Sequence, residues 1–189
     1  MAEQPGDLRV ARTREAINRA FDELVLEKGA KRVTVKELAD RAGINRKTFY
    51  LHYESIEALY AERVDQILDR YFVEEELTPD KPEDLGGHAK RFFTFLARQP
   101  ELCERLICTP DAYDFGDRLY REQMSRYKTA GDPFIWMPSG EYELAIRFIR
   151  ATALDFYRSW VATGKNVPVD RAGDLLATIT CYGASVLMK

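Results

Sequence analysis

Residues 33–59 read VTVKELADRAGINRKTFYLHYESIEAL, and this stretch decides the fold. Thr34-Val35-Lys36-Glu37 has the form of a capping box. The threonine hydroxyl can accept from the third backbone N–H of a helix while the glutamate reaches back. The helix it opens stops at Gly43, where a backbone bend costs a residue without Cβ little. Ala39, four residues before that glycine, is small enough to let two helices cross closely. Asn45 can then cap a short helix that begins at Arg46. Two helices of about eight and six residues joined by such a turn have helix-turn-helix geometry, in which the second helix enters the major groove. Its first residues here are Asn45, Arg46, Lys47 and Thr48, two cations and two hydrogen-bonding side chains where base edges and phosphates would lie. A plain αα-hairpin with a solvated charged tip is the alternative.

Outward from this stretch the pattern is helical throughout, and no segment alternates as a strand does. Ile17, Ala20, Phe21 and Leu24 share one face of a helix over residues 9–28, and Gly29 stops it. Ser55 can cap a fourth helix carrying Ala58, Leu59, Val64, Ile67, Leu68 and Tyr71 to about residue 76. Residues 78–87, with two prolines and two glycines, read as a connection. Further helices are expected over 89–98, from Pro100 to Cys108, from about 111 or 113 to 128, over 139–163, and from Pro168 to Met188. The fold class is all-α. It divides into an N-terminal three-helix helix-turn-helix domain, residues 1–53, and a C-terminal helical domain, residues 54–189.

Charge divides in the same place. The whole chain carries a formal charge of −3, which alone would not suggest nucleic acid. Residues 1–53 hold 11 basic and 8 acidic side chains, whereas the remainder holds 17 and 23. A basic head on an acidic body fits a polyanionic partner for the head, although solvated helix faces produce similar imbalances.

The motif resembles the N-terminal DNA-binding signature of TetR-type transcriptional regulators. The resemblance rests on Thr34, Val35, Leu38, Ala39, Ala42, Gly43, Ile44, Thr48-Phe49-Tyr50, His52-Tyr53, Ser55 and Ala58-Leu59. Thr13-Arg14, Ile17, Ala20-Phe21 and Gly29 extend it into the first helix. The resemblance covers roughly residues 9–60. It implies a regulator, usually a repressor, that binds operator DNA as a homodimer and is released by a small effector in the helical body. Thr34 would cap and touch phosphate beside Lys36, and Asn45, Arg46, Lys47 and Thr48 would face bases or phosphates. Tyr50 and His52 would contact the DNA backbone, while Phe49 and Tyr53 pack the head. His52 has a structural reading as well, as a hydrogen-bonded residue of the fold. Ile56 departs from the family, which often has a phosphate-holding lysine after the serine. Either that contact is missing or Ile56 packs the junction between domains.

The body holds 18 of the 22 aromatic residues. An apolar or aromatic effector would be lined by such side chains, and the candidates are Phe92, Phe95, Tyr113, Tyr120, Tyr127, Trp136, Phe148, Phe156 and Trp160. Core packing is the competing role for each. Asp155 could orient a cationic ligand or simply face solvent, but local pairing with Arg158 or Arg150 is the expected role. The run from Leu175 to Met188 is uncharged. A helix apolar on most sides must be buried on most sides. The resemblance assigns it to a dimer interface through Leu175, Leu176, Ile179, Tyr182, Gly183 and Val186, with an intramolecular core helix as the other reading.

Other classes fit less well. The 14-residue uncharged run falls short of the roughly 18–20 residues a membrane span needs, and residues 1–14 lack the apolar core of a signal peptide. The expected compartment is the cytoplasm. Cys103, Cys108 and Cys181 are an odd number, against a disulfide framework. With His52 and His88 the only histidines, no zinc ligand set is evident, and no metal or cofactor is expected. There is no HExxH, Gly-x-x-x-x-Gly-Lys or GxSxG, so an enzyme is not expected. The runner-up is a helical interaction or dimerisation module without ligand-controlled DNA binding.

Overall fold

The computed structural model describes residues 5–74, 85–109, 115–130 and 137–185. Among them are nine α-helices and no strand. They form two compact units, residues 1–66 with 100–113 and residues 67–99 with 114–189.

The first unit is built on α1 (Pro5–Lys28), whose Ile17, Ala20, Phe21, Leu24 and Val25 are buried at helical spacing. A 3₁₀ turn (Ala30–Arg32) leads into α2 (Val35–Ala42), capped as its sequence requires: Glu37 N–H donates to Thr34 Oγ1 at 3.4 Å. The helix ends on Gly43 in the left-handed region, at φ 67° and ψ 32°. There Ile44 N–H donates to Ala39 O at 3.0 Å and Gly43 N–H to Asp40 O at 3.3 Å, the paired bonds of a Schellman cap. Leu38 and Ala39 of α2 and Phe49 of α3 (Arg46–Tyr50) are fully buried. Ser55 Oγ accepts from Ala58 N–H at 3.2 Å and opens α4 (Ile56–Glu74). Ile56 is buried. Tyr60 of α4 donates its hydroxyl to the backbone oxygen of Leu106 in α6 (Glu101–Ile107), tying a segment distant in sequence into this unit. The division between units falls within α4, between Gln66 and Ile67.

The second unit pairs α5 (Leu85–Ala97) intimately with α9 (Val169–Ser185). The helix α5 starts before residue 89, taking in Gly86 from the expected connection. Packing accounts for this: a Cβ on Gly86 would lie 2.5 Å from Cys181 Sγ and 3.2 Å from Ala177 O. The bare backbone is what admits α9, and that gain outweighs the low helix propensity of glycine. Helices α7 (Phe115–Ala130) and α8 (Ser139–Ala162) complete the unit. Phe93 is fully buried, with ring centroids 5.7 Å from Phe156, 6.1 Å from Tyr157 and 5.2 Å from Trp160, all edge-on. Trp160 Nε1 donates to Val167 O at 2.7 Å, and Tyr157 Oη donates to Leu96 O at 3.2 Å, so neither polar handle is wasted. No helix among the described residues is long and apolar enough to cross a membrane. No group of three or more His, Cys, Asp or Glu among them could hold a metal ion.

Candidate nucleic-acid interface and ligand cavity

Helix α3 has only five residues, and its start is fixed by one side chain. Asn45 Oδ1 accepts the backbone N–H of Thr48 at 2.7 Å and the Thr48 hydroxyl at 3.0 Å. Phe49 anchors the helix from beneath, fully buried and 5.9 Å from the ring of Tyr53. Tyr53 Oη bonds Asn18 Oδ1 and Glu62 Oε1, both at 3.1 Å, and the Arg14 guanidinium lies 5.0 Å from the Tyr53 ring while also donating to Glu62. One phenol thus links α1, α4 and the segment that follows α3.

All eight residues expected to meet DNA lie in the first unit. Thr34, Lys36, Asn45, Arg46, Lys47 and Tyr50 are exposed, and Thr48 and His52 are half-buried. Tyr50 is 57% exposed with its ring edge-on to Phe49 at 5.4 Å, an aromatic held outward by its neighbour. The other cations of the unit divide sharply. Arg41 forks onto Glu27 at 2.7 and 2.9 Å and reaches Glu23 at 3.3 Å, and Lys28 holds Glu37 at 2.6 Å. These bonds push the Arg41 pKa up and hold the Glu27 and Glu37 carboxyls below their usual range. Among the described residues Arg46 and Lys47 make no ion pair, so their charge is directed to solvent. Reasoning from sequence missed Arg9 and Arg12. They line an open groove with Leu8, Thr13, Ala16 and Ile44, and Ile44 immediately precedes Asn45. Two arginines three apart on the outer turns of α1 are the signal that was there to find.

The second unit contains a small, largely apolar cavity of about 40 Å³. Tyr71, Leu85, His88, Ala89, Phe92, Leu119, Ile146, Ile149, Arg150 and Ala153 form its walls, contributed by α4, α5, α7 and α8. Its interior is narrow, so a ligand of more than a few heavy atoms must part those walls. A second, more open cavity shares Leu119 and Arg150 with it and adds Tyr120, Arg147, Asp117, Asp155 and Arg158. Of the aromatic residues named from the sequence, Phe92 lines the first cavity and Tyr120 the second. Phe95 packs on Tyr71 at 5.1 Å, Phe156 and Trp160 pack on Phe93, and Phe148 is 70% exposed. Tyr113, Trp136 and the side chain of Tyr127 lie outside the described residues, as does Val186. Arg158 Nη1 sits 3.8 Å from Asp155 Oδ1, the local pairing expected of that aspartate. On α9, Ala172, Leu176 and Thr180 are buried, whereas Leu175, Ile179 and Tyr182 are 49%, 49% and 77% exposed. Gly183 is exposed too, with open space where a Cβ would stand.

A model of the bacterial regulatory proteins of the tetR family matches residues 17–62, the span from the buried face of α1 to the first turns of α4. The N-terminal domain belongs to the tetR family. The fold of the whole chain agrees with that TetR-type head. The chain is 22% identical to NalD, the secondary repressor of the MexAB-OprM multidrug efflux pump in Pseudomonas aeruginosa, with 92% of this chain and 97% of that one covered and a TM-score of 0.61. It is 16% identical to the transcriptional regulator FadR from Bacillus subtilis in complex with stearoyl-CoA, covering 90% and 98%, with a TM-score of 0.57. It is 19% identical to SmeT of Stenotrophomonas maltophilia in its triclosan complex, covering 90% of each chain, again at 0.57. At these identities the likeness establishes a common fold. No protein of curated function matches the chain. A TetR-type head is a DNA-binding module of transcriptional regulators, and Asn45, Arg46 and Lys47 open its second motif helix.

Proposed function

We propose that this protein is a ligand-responsive repressor that binds operator DNA as a homodimer in the cytoplasm. In this reading residues 1–53 read DNA, and residues 54–189 bind the effector and dimerise. The observation that carries it is the capped α3, which turns Arg46 and Lys47 to solvent within a TetR-type domain. Thr34, Lys36, Tyr50 and His52 supply flanking contacts to the sugar-phosphate backbone, with Arg9 and Arg12 beside them. Asn45 and Thr48 act first by holding the helix. The effector site is the apolar cavity around Phe92. FadR in complex with stearoyl-CoA and SmeT in complex with triclosan, two proteins of this fold, support a small-molecule effector. The exposed row Leu175, Ile179 and Tyr182, with Gly183 beside it, supports the dimer surface. Leu176 faces the interior of its own unit and sustains α9 from behind.

Repression requires the effector to bind the DNA-incompetent arrangement more tightly, and the coupling is reciprocal. A coupling of about 1–3 kcal/mol would weaken operator binding about 5–150-fold. The test is an electrophoretic shift with intergenic DNA from the gene's own neighbourhood, at several salt concentrations. Sequence-selective, salt-dependent retardation is expected. Retardation no stronger than for random DNA would refute the operator-binding reading.

A further inference from the structure

We propose that Leu51 reads the 5-methyl group of a thymine in the major groove, so that the operator is recognised in part by apolar contact. The proposal rests on the reading of α3 as the DNA-reading helix and names a base feature that it selects. Leu51 is 76% exposed, more than any other large apolar side chain among the described residues of the first unit. The helix itself sets this exposure. Leu51 closes α3 with helical backbone angles, φ −74° and ψ −19°, and its N–H donates to Lys47 O at 3.2 Å. At about 100° per residue, Lys47 and Leu51 stand about 160° and about 200° around the helix from Phe49. Phe49 is fully buried, so those two residues centre the outward face, one turn apart. Arg46 and Tyr50, both exposed, flank them on one side.

A single exposed leucine is ordinary on a protein surface. The place of this one gives it a role. Arg46 and Lys47 on the same five-residue helix make no ion pair among the described residues, so this face attracts a polyanion. Once their charge brings the face into the groove, the outermost apolar side chain meets base edges. Leucine has neither donor nor acceptor. Laid over the edge of a purine, or over the amino group of cytosine, it would strip water from polar groups and return no hydrogen bond. The thymine methyl is the one apolar group among the features that distinguish bases in the major groove. Contact between that methyl and the Leu51 side chain removes both from water and leaves no polar group unpaired. Leu51 thereby favours thymine at one position of each half-site, beside whatever Arg46 and Lys47 select.

The test uses the full-length protein and an operator duplex that it selects from a random-sequence pool. Each thymine of the duplex is replaced in turn by deoxyuridine, which keeps every hydrogen-bonding group and lacks only the methyl. Affinity is read by gel shift or fluorescence anisotropy. At one thymine position or more in each half-site, the replacement is expected to weaken binding about fourfold, the value of one methyl group removed from water. L51A should bind the thymine and deoxyuridine duplexes equally at that position, and L51M should keep part of the difference. The coupling between residue and methyl separates direct contact from any change in DNA shape, which L51A would leave in place. L51A should also keep the helicity and thermal midpoint of the unmodified protein, since an exposed side chain contributes little to stability. If it does not fold, L51M and the scan on the unmodified protein still decide. Selective binding that is blind to every thymine methyl overturns this proposal alone, and so does a methyl effect that persists undiminished in L51A. Failure to select any operator overturns the DNA-binding reading and this proposal with it.

Discussion

The side-chain oxygen of Asn45 accepts the backbone N–H of Thr48 at 2.7 Å, so the residue proposed to stand foremost toward DNA is also the cap of the helix proposed to read it. A five-residue helix cannot sustain itself, because nucleation is unfavourable and only one turn follows. Asn45→Ala should cost about 1 kcal/mol of stability through the lost cap. It should also weaken operator binding by loosening α3. Asn45→Ser or Asn45→Asp should recover the stability. Urea unfolding and gel shifts on the three variants check this, and an Ala variant as stable as the unmodified protein would contradict the capping role.

The division of cations into paired and solvent-facing groups predicts which ones meet phosphate. Each phosphate contact removed should flatten the dependence of log K on log salt by about 0.9. Lys47→Ala is expected to do so uniformly across sequences, and Arg12→Ala likewise. Arg46→Ala, if the fork reaches a guanine edge, should instead cost about 1–3 kcal/mol and relax specificity. Lys28→Ala is the comparison, since its ammonium is held by Glu37 at 2.6 Å, and its slope should not change. Equal slopes for Lys47→Ala and Lys28→Ala would remove Lys47 from the interface.

Acid should loosen the first unit by a route that can be isolated. Hydrogen bonds from Arg41 hold the Glu27 carboxyl below its usual range, and hydrogen bonds from Lys28 and Thr34 do the same for Glu37. A depressed folded-state pKa contributes stability that is fully present above the unfolded carboxylate range, near pH 4.3, and is lost as pH falls through the folded value. Asp22 runs the other way. Burial pushes its pKa up in spite of the Arg63 fork, so its contribution favours folding more as pH drops. Glu27→Gln/Glu37→Gln should therefore flatten the fall in urea midpoint between about pH 5 and pH 3, and Asp22→Asn should steepen it. Both carboxylates are exposed, so the effect should be small and should shrink with salt.

How much of this was legible depended on how local each signal is. Thr34, Asn45 and Ser55 cap their helices as the sequence indicated, because a cap involves only the next three residues. Gly43 was equally readable as a left-handed stop. Gly86 misled, since two adjacent glycines suggest a break, and only the approach of Ala177 and Cys181 from α9 explains a helix there. The cavity was largely hidden as well. Aromatic content pointed to nine residues, but Phe156 and Trp160 pack on Phe93, and of the nine only Phe92 lines the opening, beside Tyr71, aliphatic side chains and Arg150. The two faces of α9 could have been separated by spacing alone. Ala172, Leu176 and Thr180 recur every four residues on the buried side, whereas Leu175, Ile179 and Tyr182 lie on the other.

The Gly86 contact gives a stability prediction. Gly86→Ala places a Cβ 2.5 Å from Cys181 Sγ, which forces a rotamer change or separates α5 from α9. Overpacking of this kind costs about 1–3 kcal/mol. The cysteine can be removed: Gly86→Ala/Cys181→Ala should recover part of the loss, leaving the milder 3.2 Å approach to Ala177 O. Contacting sites should show such coupling, and additive losses in a double-mutant cycle would contradict it. Gly140→Ala is the control, since nothing lies within 4 Å of its would-be Cβ.

The exposed side of α9 carries the last prediction. Leu175 and Ile179 are 49% exposed and Tyr182 77%, and on α8 Leu144 and Phe148 are 72% and 70% exposed. Five large apolar side chains turned to solvent on two helices of one unit are more than scattered surface residues require, and a second copy of the chain would cover them. Ile179→Asp should leave the fold intact, because a carboxylate at a half-exposed position stays hydrated in the monomer. In the dimer it would be buried without a partner, so association should fall steeply. Leu176→Asp, at a fully buried position on the same helix, should instead unfold the protein. Sedimentation velocity at micromolar concentration separates these cases. Twice the 21.8 kDa chain mass is expected for the unmodified protein, the chain mass for Ile179→Asp, and aggregation or loss of helicity for Leu176→Asp. Operator affinity should fall with dimerisation in Ile179→Asp, since a helix-turn-helix dimer engages two half-sites and a monomer only one. A monomeric unmodified protein, or an Ile179→Asp variant that still dimerises, would move the interface away from this face.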